Sequence, residues 1–414
     1  MVKKYKHTEI GMIPHDWDFA AIGPEIDLLT GFPFKSGEFT STGIKLLRGS
    51  NVKRNVTDWT DDNTRYWKDV PSNLKQYMLQ EGDIVIAMDG SLVGKSFARL
   101  SKKDLPALLV QRIARVRSAN IDPGYLKELI CSDYFTKHCD SVKTTSAIPH
   151  ISPKDIRTFE IPIPPTKAEQ VAISGALNSA ELLITALEKI TAKKRAMMQG
   201  AMQELLRPKA GWQSKKLGTV GKIYGGLSGK SSKDFKEGNS PYLPFMNVMT
   251  NVVIDRRFLR YVSIQPGEKQ NQVIKGDLLF NGSSESPEEL GMCSILLDEI
   301  QNLYLNSFCF GLRLNKELRN DGLYLAYYFR SSYGRKIFML LSQGATRHNL
   351  SKTNFLKTEI QLPLPEEQVR ISAILSAMGA EIKELENQLA KQKLIRQGMR
   401  QQLLTGKIRL VRHD

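Results

Sequence analysis

Two long stretches of the chain carry apolar residues at heptad spacing and contain no proline, one from Lys167 to about Leu206 and one from Glu366 to about Leu404. With Ile173 set at position a, the first seam reads Ile173, Leu177, Ala180, Ile184, Leu187, Thr191, Lys194, Met198, Ala201 and Leu205. The second reads Ile371, Leu375, Met378, Ile382, Leu385, Leu389, Gln392, Arg396, Met399 and Leu403. Alternating steps of three and four place these side chains along one stripe of a helix. Each stretch is therefore predicted as a single helix of about 40 residues, about 60 Å long. A helix of that length cannot bury its stripe alone. The economical arrangement packs the two on each other as a coiled coil, with Lys194, Gln392 and Arg396 weakening the seam near one end of each helix; the alternative is that each helix packs only on its own globular half.

Before each of these stretches the pattern shortens. Residues 17 to 165 carry brief apolar runs bounded by turn residues, such as Gly43 to Leu47, Asp83 to Met88 and Leu108 to Val116. Such runs predict a mixed α/β domain of short strands, with a helix near Tyr125 to Cys139. The same texture returns from Trp212 to Pro365, where Tyr324 to Leu341 is the matching helix.

The likeness extends to the letters themselves. FEIPIPPTKAEQVAISGAL near residue 160 answers TEIQLPLPEEQVRISAIL near residue 359. Trp17 answers Trp212, Gly31 answers Gly226, and Gly82 to Met88 (GDIVIAM) answers Gly276 to Asn281 (GDLLFN). The shift drifts from 194 between Gly82 and Gly276 to 199 between Ser152 and Ser351, as small loop insertions in a shared fold would produce. The chain is a duplication. The boundaries this implies are a first domain in 1–165, a long helix in 166–207, a second domain in 208–365, a long helix in 366–405 and a tail in 406–414.

Composition adds a partner class. The 414 residues, 41% of them hydrophobic, suffice for two or more cores. A net charge of +16 favours a polyanionic partner. No continuous apolar run approaches the roughly 18 residues of a spanning helix. The amino terminus, MVKKYKHTEIGMIPHDW, lacks the apolar core of a secretory signal. A cytoplasmic location without a membrane partner is the expectation, and nucleic acid is the expected polyanion. Cys131, Cys139, Cys293 and Cys309 show no zinc spacing and read as buried reduced thiols.

Enzymatic chemistry finds little support. GSLVGKS (Gly90 to Ser96) and GGLSGKS (Gly225 to Ser231) end like phosphate-binding loops. The loop needs a glycine five positions before the GK glycine so that amides wrap the phosphates, and Asp89 and Tyr224 stand there instead. No glycine-rich methyl-donor loop, paired carboxylates, histidine cluster or metal set is recognisable.

These features together resemble the specificity subunits of type I restriction and modification systems. The resemblance covers essentially the whole chain. It is carried by the duplicated helix starts IPIPPTKAEQVAI and LPLPEEQVRI, the GDI and GDL strands, the loops SAIPHIS and GATRHNLS, and the ends EIGMIPHDW and QQLLTGKIRL. It implies an α+β fold of two homologous mixed α/β target recognition domains, each followed by a long helix, the helices forming an antiparallel coiled coil. It implies a non-catalytic subunit that reads a bipartite double-stranded DNA target, one half-site per domain, with a gap set by the coiled coil. The implied partners are two methyltransferase subunits, which carry S-adenosylmethionine chemistry to adenine, and restriction or motor subunits. No cofactor is expected on this chain itself.

On this reading Lys and Arg contact phosphates, while Arg, Lys, Asn, Gln, Ser and Thr reach base edges. The first domain's candidates are Lys35, Ser36, Arg48, Ser50, Asn51, Lys53, Arg54, Ser91, Lys95, Lys143, Thr144, Thr145, Ser146 and His150. The second domain's are Lys230, Ser231, Lys233, Asn247, Asn251, Asn281, Ser283, Ser284, Gln343, Thr346, Arg347, His348 and Asn349. His150 and His348 are expected to hydrogen-bond within their loops rather than act as acids or metal ligands. Turns favour these residue types on their own account. Three other readings remain open at this level: the specificity module of another DNA-modification system, a coiled-coil scaffold, and an RNA- or single-strand-binding protein that stacks bases on Phe32, Phe34, Tyr224 and Phe245.

Overall fold

The computed structural model describes residues 5–344 and 346–411. The chain divides into two compact units, one made of residues 1–187 with 388–414 and the other of residues 188–387. The predicted boundaries thus meet a different partition, because each long helix contributes its first part to one unit and its last part to the other. The central helix is Lys167–Leu205 and the terminal helix Pro365–Leu403.

The two units repeat one topology. In the first, an antiparallel sheet orders the strands Phe97–Arg99, Ile84–Ala87, Ile113–Arg117 and Asp27–Thr30. In the second the same order is Cys293–Ile295, Leu278–Asn281, Cys309–Leu314 and Gly221–Gly225. A smaller three-stranded sheet recurs as well: Ala107–Leu109, Ile44–Leu47 and Tyr66–Trp67 answer Tyr304–Leu305, Ser240–Leu243 and Arg260–Val262. The GD pairs explain their own recurrence. Gly82 and Gly276 sit at φ +93° and +91°, where a side chain would strain the turn. The following Asp83 and Asp277 are buried and grip Arg117 and Arg313 on the neighbouring strand.

Two predicted elements are corrected. The single helix expected near Tyr125 to Cys139 is a pair, Pro123–Ile130 and Asp133–Val142, and its counterpart is Gly322–Arg330 with Ser332–Leu341. The break has a local cause: Ser132 and Ser331 turn their hydroxyls onto the backbone N–H groups of Phe135 and Gly334, starting a new helix. The run Leu108 to Val116 likewise divides into two strands, with Arg112 at φ +67° in the turn between them.

The EQ helix starts act as clamps. Gln170 accepts the Asp122 N–H (2.8 Å) and donates to the Pro164 carbonyl (3.3 Å). Gln368 does the same with Asp321 (3.0 Å) and Pro363 (2.9 Å). Ser174 and Ser372, one turn later, donate to the side chains of Asp122 and Asp321. Each long helix is thereby tied at its first turns to the helix pair of its own domain.

Within each unit the central and terminal helices run antiparallel. Glu181 pairs with Arg396 (2.6 Å) in the first unit, and Lys194 with Glu381 and Arg195 with Glu386 (both 2.6 Å) in the second. Every seam position named above is buried or half-buried: Ile173, Leu177, Ile184, Leu187, Ile371, Leu375, Ile382 and Leu403 fully, and Met198, Leu205, Leu385 and Leu389 in part. Lys194 and Arg396, expected to weaken the seam, instead carry cross-helix ion pairs.

By length and composition alone the central helix is apolar enough to cross a membrane, although its apolar residues form no continuous run of that length. Its inner stripe, however, belongs to the protein's own cores. The four cysteines are buried and free of disulfides, and burial pushes the thiols of Cys131, Cys139 and Cys309 up to about 12.

Candidate nucleic-acid interface

In each unit the turn after the GD strand meets the loop that precedes the long helix. In the first unit the Met88 carbonyl accepts the Ile151 N–H (2.8 Å), and the Gly90 N–H donates to Pro149 (3.0 Å). Asp89 bridges to His150 at the same place. In the second, the Gly282 carbonyl accepts the Leu350 N–H (3.0 Å), while Ser283 and Ser284 pair with Asn349 and His348. Ser152 and Ser351 then cap the next helices through the N–H groups of Asp155 and Asn354. A hydroxyl–imidazole bond staples each loop, Thr144 to His150 Nδ1 and Ser342 to His348 Nδ1, both 2.9 Å.

Each junction borders a cleft. The first, about 390 Å³, is lined by Met88, Asp89, Arg112, Ile148, His150 and Ile151. The second, about 470 Å³, is lined by Phe245, Ser283, Ser284, Glu285, Glu289, Thr346 and Arg347. Asp89 also reaches the 48–54 loop, since a Cβ built on Gly49 would lie 3.7 Å from its Oδ1. Three predicted loops therefore converge in the first unit.

Most of the sequence candidates lie at the surface. Lys35, Ser36, Ser50, Lys53, Arg54, Ser91, Lys95, Thr145, Ser146 and His150 are exposed in the first unit. So are Ser231, Lys233, Gln343, Thr346, Arg347 and Asn349 in the second, while Lys143, Thr144, Asn251 and His348 are half-buried. Ser283 and Ser284 are buried yet line the cleft.

Five candidates are withdrawn. Asn51 is fully buried and donates to the carbonyls of Asp58 (2.8 Å) and Asn63 (3.1 Å). Asn247 is buried and holds both backbone groups of Asp255. Asn281 is buried and donates to Glu289 (2.9 Å). Arg48 turns inward to the Asn63 carbonyl (2.6 Å). Lys230 is committed to Glu268 (2.6 Å), whose carboxyl it holds down at about 2. Amide side chains beside glycine mark turns, and the polar groups of a buried turn must be satisfied from within.

Sequence reasoning also missed Arg112 in the first cleft and Phe308, which stacks with the cleft residue Arg347 in the second unit. Arg112 lines the first cleft and pairs with Asp89 (2.8 Å). Phe308 is exposed and carries the Arg347 guanidinium 4.9 Å from its ring centre. Their only trace in the sequence is a polar residue before Arg112, and an aromatic at Phe308, at the turn into an apolar strand.

Of the aromatics weighed as stacking surfaces, Phe32, Phe34 and Tyr224 are engaged elsewhere, whereas Phe245 lines the second cleft. Phe34 is buried against Phe32 and Trp67, and Phe32 packs on Tyr77. Tyr224 donates to Asp277 (2.6 Å) under Arg313, and Phe245 packs on the core of its unit. The phosphate-loop look-alikes lead to the strand Phe97–Arg99 and the single turn Ser232–Phe235, so neither opens a long helix onto an anion. Among the described residues, no group of three acidic, histidine or cysteine side chains could hold a metal.

Comparison with known proteins places this architecture. Residues 15–195 and 209–393 each match the type I restriction modification DNA specificity domain. The EcoAI specificity subunit of Escherichia coli is 34% identical over 166 residues, 39% of this chain and 28% of that protein. The MjaVIII specificity subunit of Methanocaldococcus jannaschii is 30% identical over 208 residues, 49% of this chain and 48% of that protein. The chain thus spans less than half the length of these two curated relatives. The crystal structure of the S subunit from M. genitalium shares the fold, with a TM-score of 0.60 at 15% identity over 97% of this chain and 99% of that one. With both halves matched and the duplicated α/β units and paired long helices in place, the chain belongs to the family of type I restriction-modification DNA specificity subunits.

Proposed function

We propose that this chain supplies sequence recognition to a type I restriction-modification complex and performs no chemistry itself. Each unit reads one half-site of a bipartite double-stranded DNA target, and the long helices set the unread gap. Two methyltransferase subunits bring S-adenosylmethionine to adenine, and restriction or motor subunits join for cleavage. The observation that carries this reading is the doubled junction of turn and loop, held by equivalent backbone bonds but furnished with different side chains, as two readers of different half-sites require. The charge of +16 suits a phosphate backbone. Apolar side chains left exposed on the long helices suit subunit docking: Val171, Leu182, Leu183, Leu394 and Ile395 in the first unit, Ile190, Met197, Val369 and Ile374 in the second.

The test is genome-wide mapping of methylated adenine in cells with and without this chain. A two-part motif with a fixed gap should be present with the chain and vanish without it. Methylation that persists in its absence would exclude the reading. A further expectation concerns the gap. Inserting four residues into both long helices adds about 6 Å of rise, enough to lengthen the gap by one or two base pairs while leaving both half-sites intact. Altered half-sites in the same mapping would count against the helices as the ruler.

A further inference from the structure

One hydrogen-bond frame holds a different residue in each unit. The Met88 N–H donates to the Arg112 carbonyl (2.9 Å), and the Gly282 N–H to the Phe308 carbonyl (2.8 Å). Arg112 and Phe308 therefore occupy equivalent places, as do the next residues along, Asp89 and Ser283.

Arg112 is held in an uncommon state. Its φ of +67° lies in the left-handed region that long side chains rarely enter, and a strained residue that persists at a cleft is a pointer to function. Its side chain is 67% exposed, yet Nη1 is fixed by the Asp89 carboxylate at 2.8 Å. The other guanidinium donors have no bond among the described residues. In the second unit the equivalent place carries an exposed aromatic ring, and a guanidinium returns from the opposite loop: Arg347 lies 4.9 Å above Phe308. Beside it Ser283 lines the cleft, with a hydroxyl that is buried and unpartnered among the described residues. Each unit thus sets one guanidinium over the same turn, steered by a carboxylate in one and by an aromatic face in the other.

We infer that Arg112 and Arg347 are the base-reading groups of the two units, each taking the O6 and N7 edge of a guanine in the major groove; the inference rests on the specificity-subunit reading above. A planar fork whose orientation is set before binding matches that acceptor pair. A phosphate contact needs no such setting, and Asp89 in one cleft and Glu285 and Glu289 in the other repel phosphate.

The experiment uses the full chain with its methyltransferase partner. Methylated-adenine mapping of the wild type should show a guanine in one half-site that Arg112→Ala relaxes to any base, with the other half-site unchanged. Arg347→Ala should relax a guanine in the opposite half-site. Purified wild-type complex should lose roughly ten- to hundredfold in affinity when that guanine is replaced by 7-deazaguanine, and the Arg112→Ala complex should be indifferent to the replacement. Arg112→Gly, which suits the left-handed backbone, serves as a second variant whose folding is not in question.

A motif unchanged in both Arg112 variants would overturn the inference. So would an equal loss of binding to all sequences with a shallower salt dependence, the signature of a phosphate contact. If the wild type yields no bipartite motif, the specificity-subunit reading itself fails, which is a different result from an unaltered motif.

Discussion

Replacing Glu128 with alanine will destabilise the first unit by about 3–5 kcal/mol, the cost of leaving buried charges without their counter-ion. Glu128 is buried beneath the terminal helix and bonds to Lys127 (2.6 Å), Arg396 (3.2 Å) and Arg400 (2.9 Å). Arg396 also holds Glu181. Removing the carboxylate leaves three cations crowded in a nearly dry interface, and thermal unfolding should fall by roughly 10 °C for a unit of this size.

The second unit shows another solution at the same places. There Tyr327, Met198 and Met202 pack in one apolar core, and Gly379 stands where the first unit has Glu181. The combined substitution Glu128→Tyr, Arg396→Met and Arg400→Met transplants that solution and should recover most of the lost stability. Failure of the triple variant to outlast Glu128→Ala in thermal melts would show that the charges, not the packing volume, decide the interface.

The pH dependence has a defined sign. Burial alone would raise the Glu128 pKa, but Lys127, Arg400 and Arg396 outweigh it and hold the carboxyl below its ordinary value. A depressed carboxyl contributes stability that is present above its unfolded pKa and is lost as pH falls through the folded one. The gap between wild type and Glu128→Ala should therefore be full at neutral pH and shrink below about pH 4.3, the ordinary glutamate value. A gap that widens on acidification would contradict the assignment.

The second large effect lies in the tail. Arg409 is nearly buried, forks onto the fully buried Glu169 of the EQ pair and also reaches Asp16 (3.1 Å). Its guanidinium covers the buried Trp17 at 5.6 Å, while Gly406, at φ +63°, packs so closely that a Cβ there would lie 2.6 Å from Pro14 and 3.0 Å from Trp17. Arg409→Ala removes the bidentate partner of a buried carboxylate and should cost about 3–5 kcal/mol. Arg409→Lys should recover only part of it, because an ammonium cannot span both oxygens as the fork does. Chemical denaturation that leaves Arg409→Ala within about 0.5 kcal/mol of the wild type would place this contact among surface pairs of little consequence.

Alternating three- and four-residue steps identified both long helices, because a helix repeats its face at that interval whatever surrounds it. Matched strings such as GDIVIAM and GDLLFN exposed the duplication, since two copies of one fold need the same turn glycine and the same buried aspartate. The loops ending at His150 and Asn349 were also visible as polar breaks between elements.

Other features had no local signature. The helix pair at Ser132 looked continuous because its apolar positions keep their spacing across the break. Asn51, Asn247 and Asn281 looked like surface readers because composition cannot tell a solvated amide from one that satisfies a buried turn. Arg112 went unnoticed because its importance lies in a left-handed backbone and in Asp89, 23 residues away along the chain.

By itself, then, the sequence determined the number of repeated modules, the length and inner stripe of the helices, and the family, because each is written in periodicities and repeats that short-range geometry enforces. Only the tertiary structure decided which residues meet. It set Arg396 and Arg400 on Glu128, Arg409 on Glu169 and Arg112 on Asp89, since a charge finds its partner through the fold of the whole unit and not through spacing along the chain.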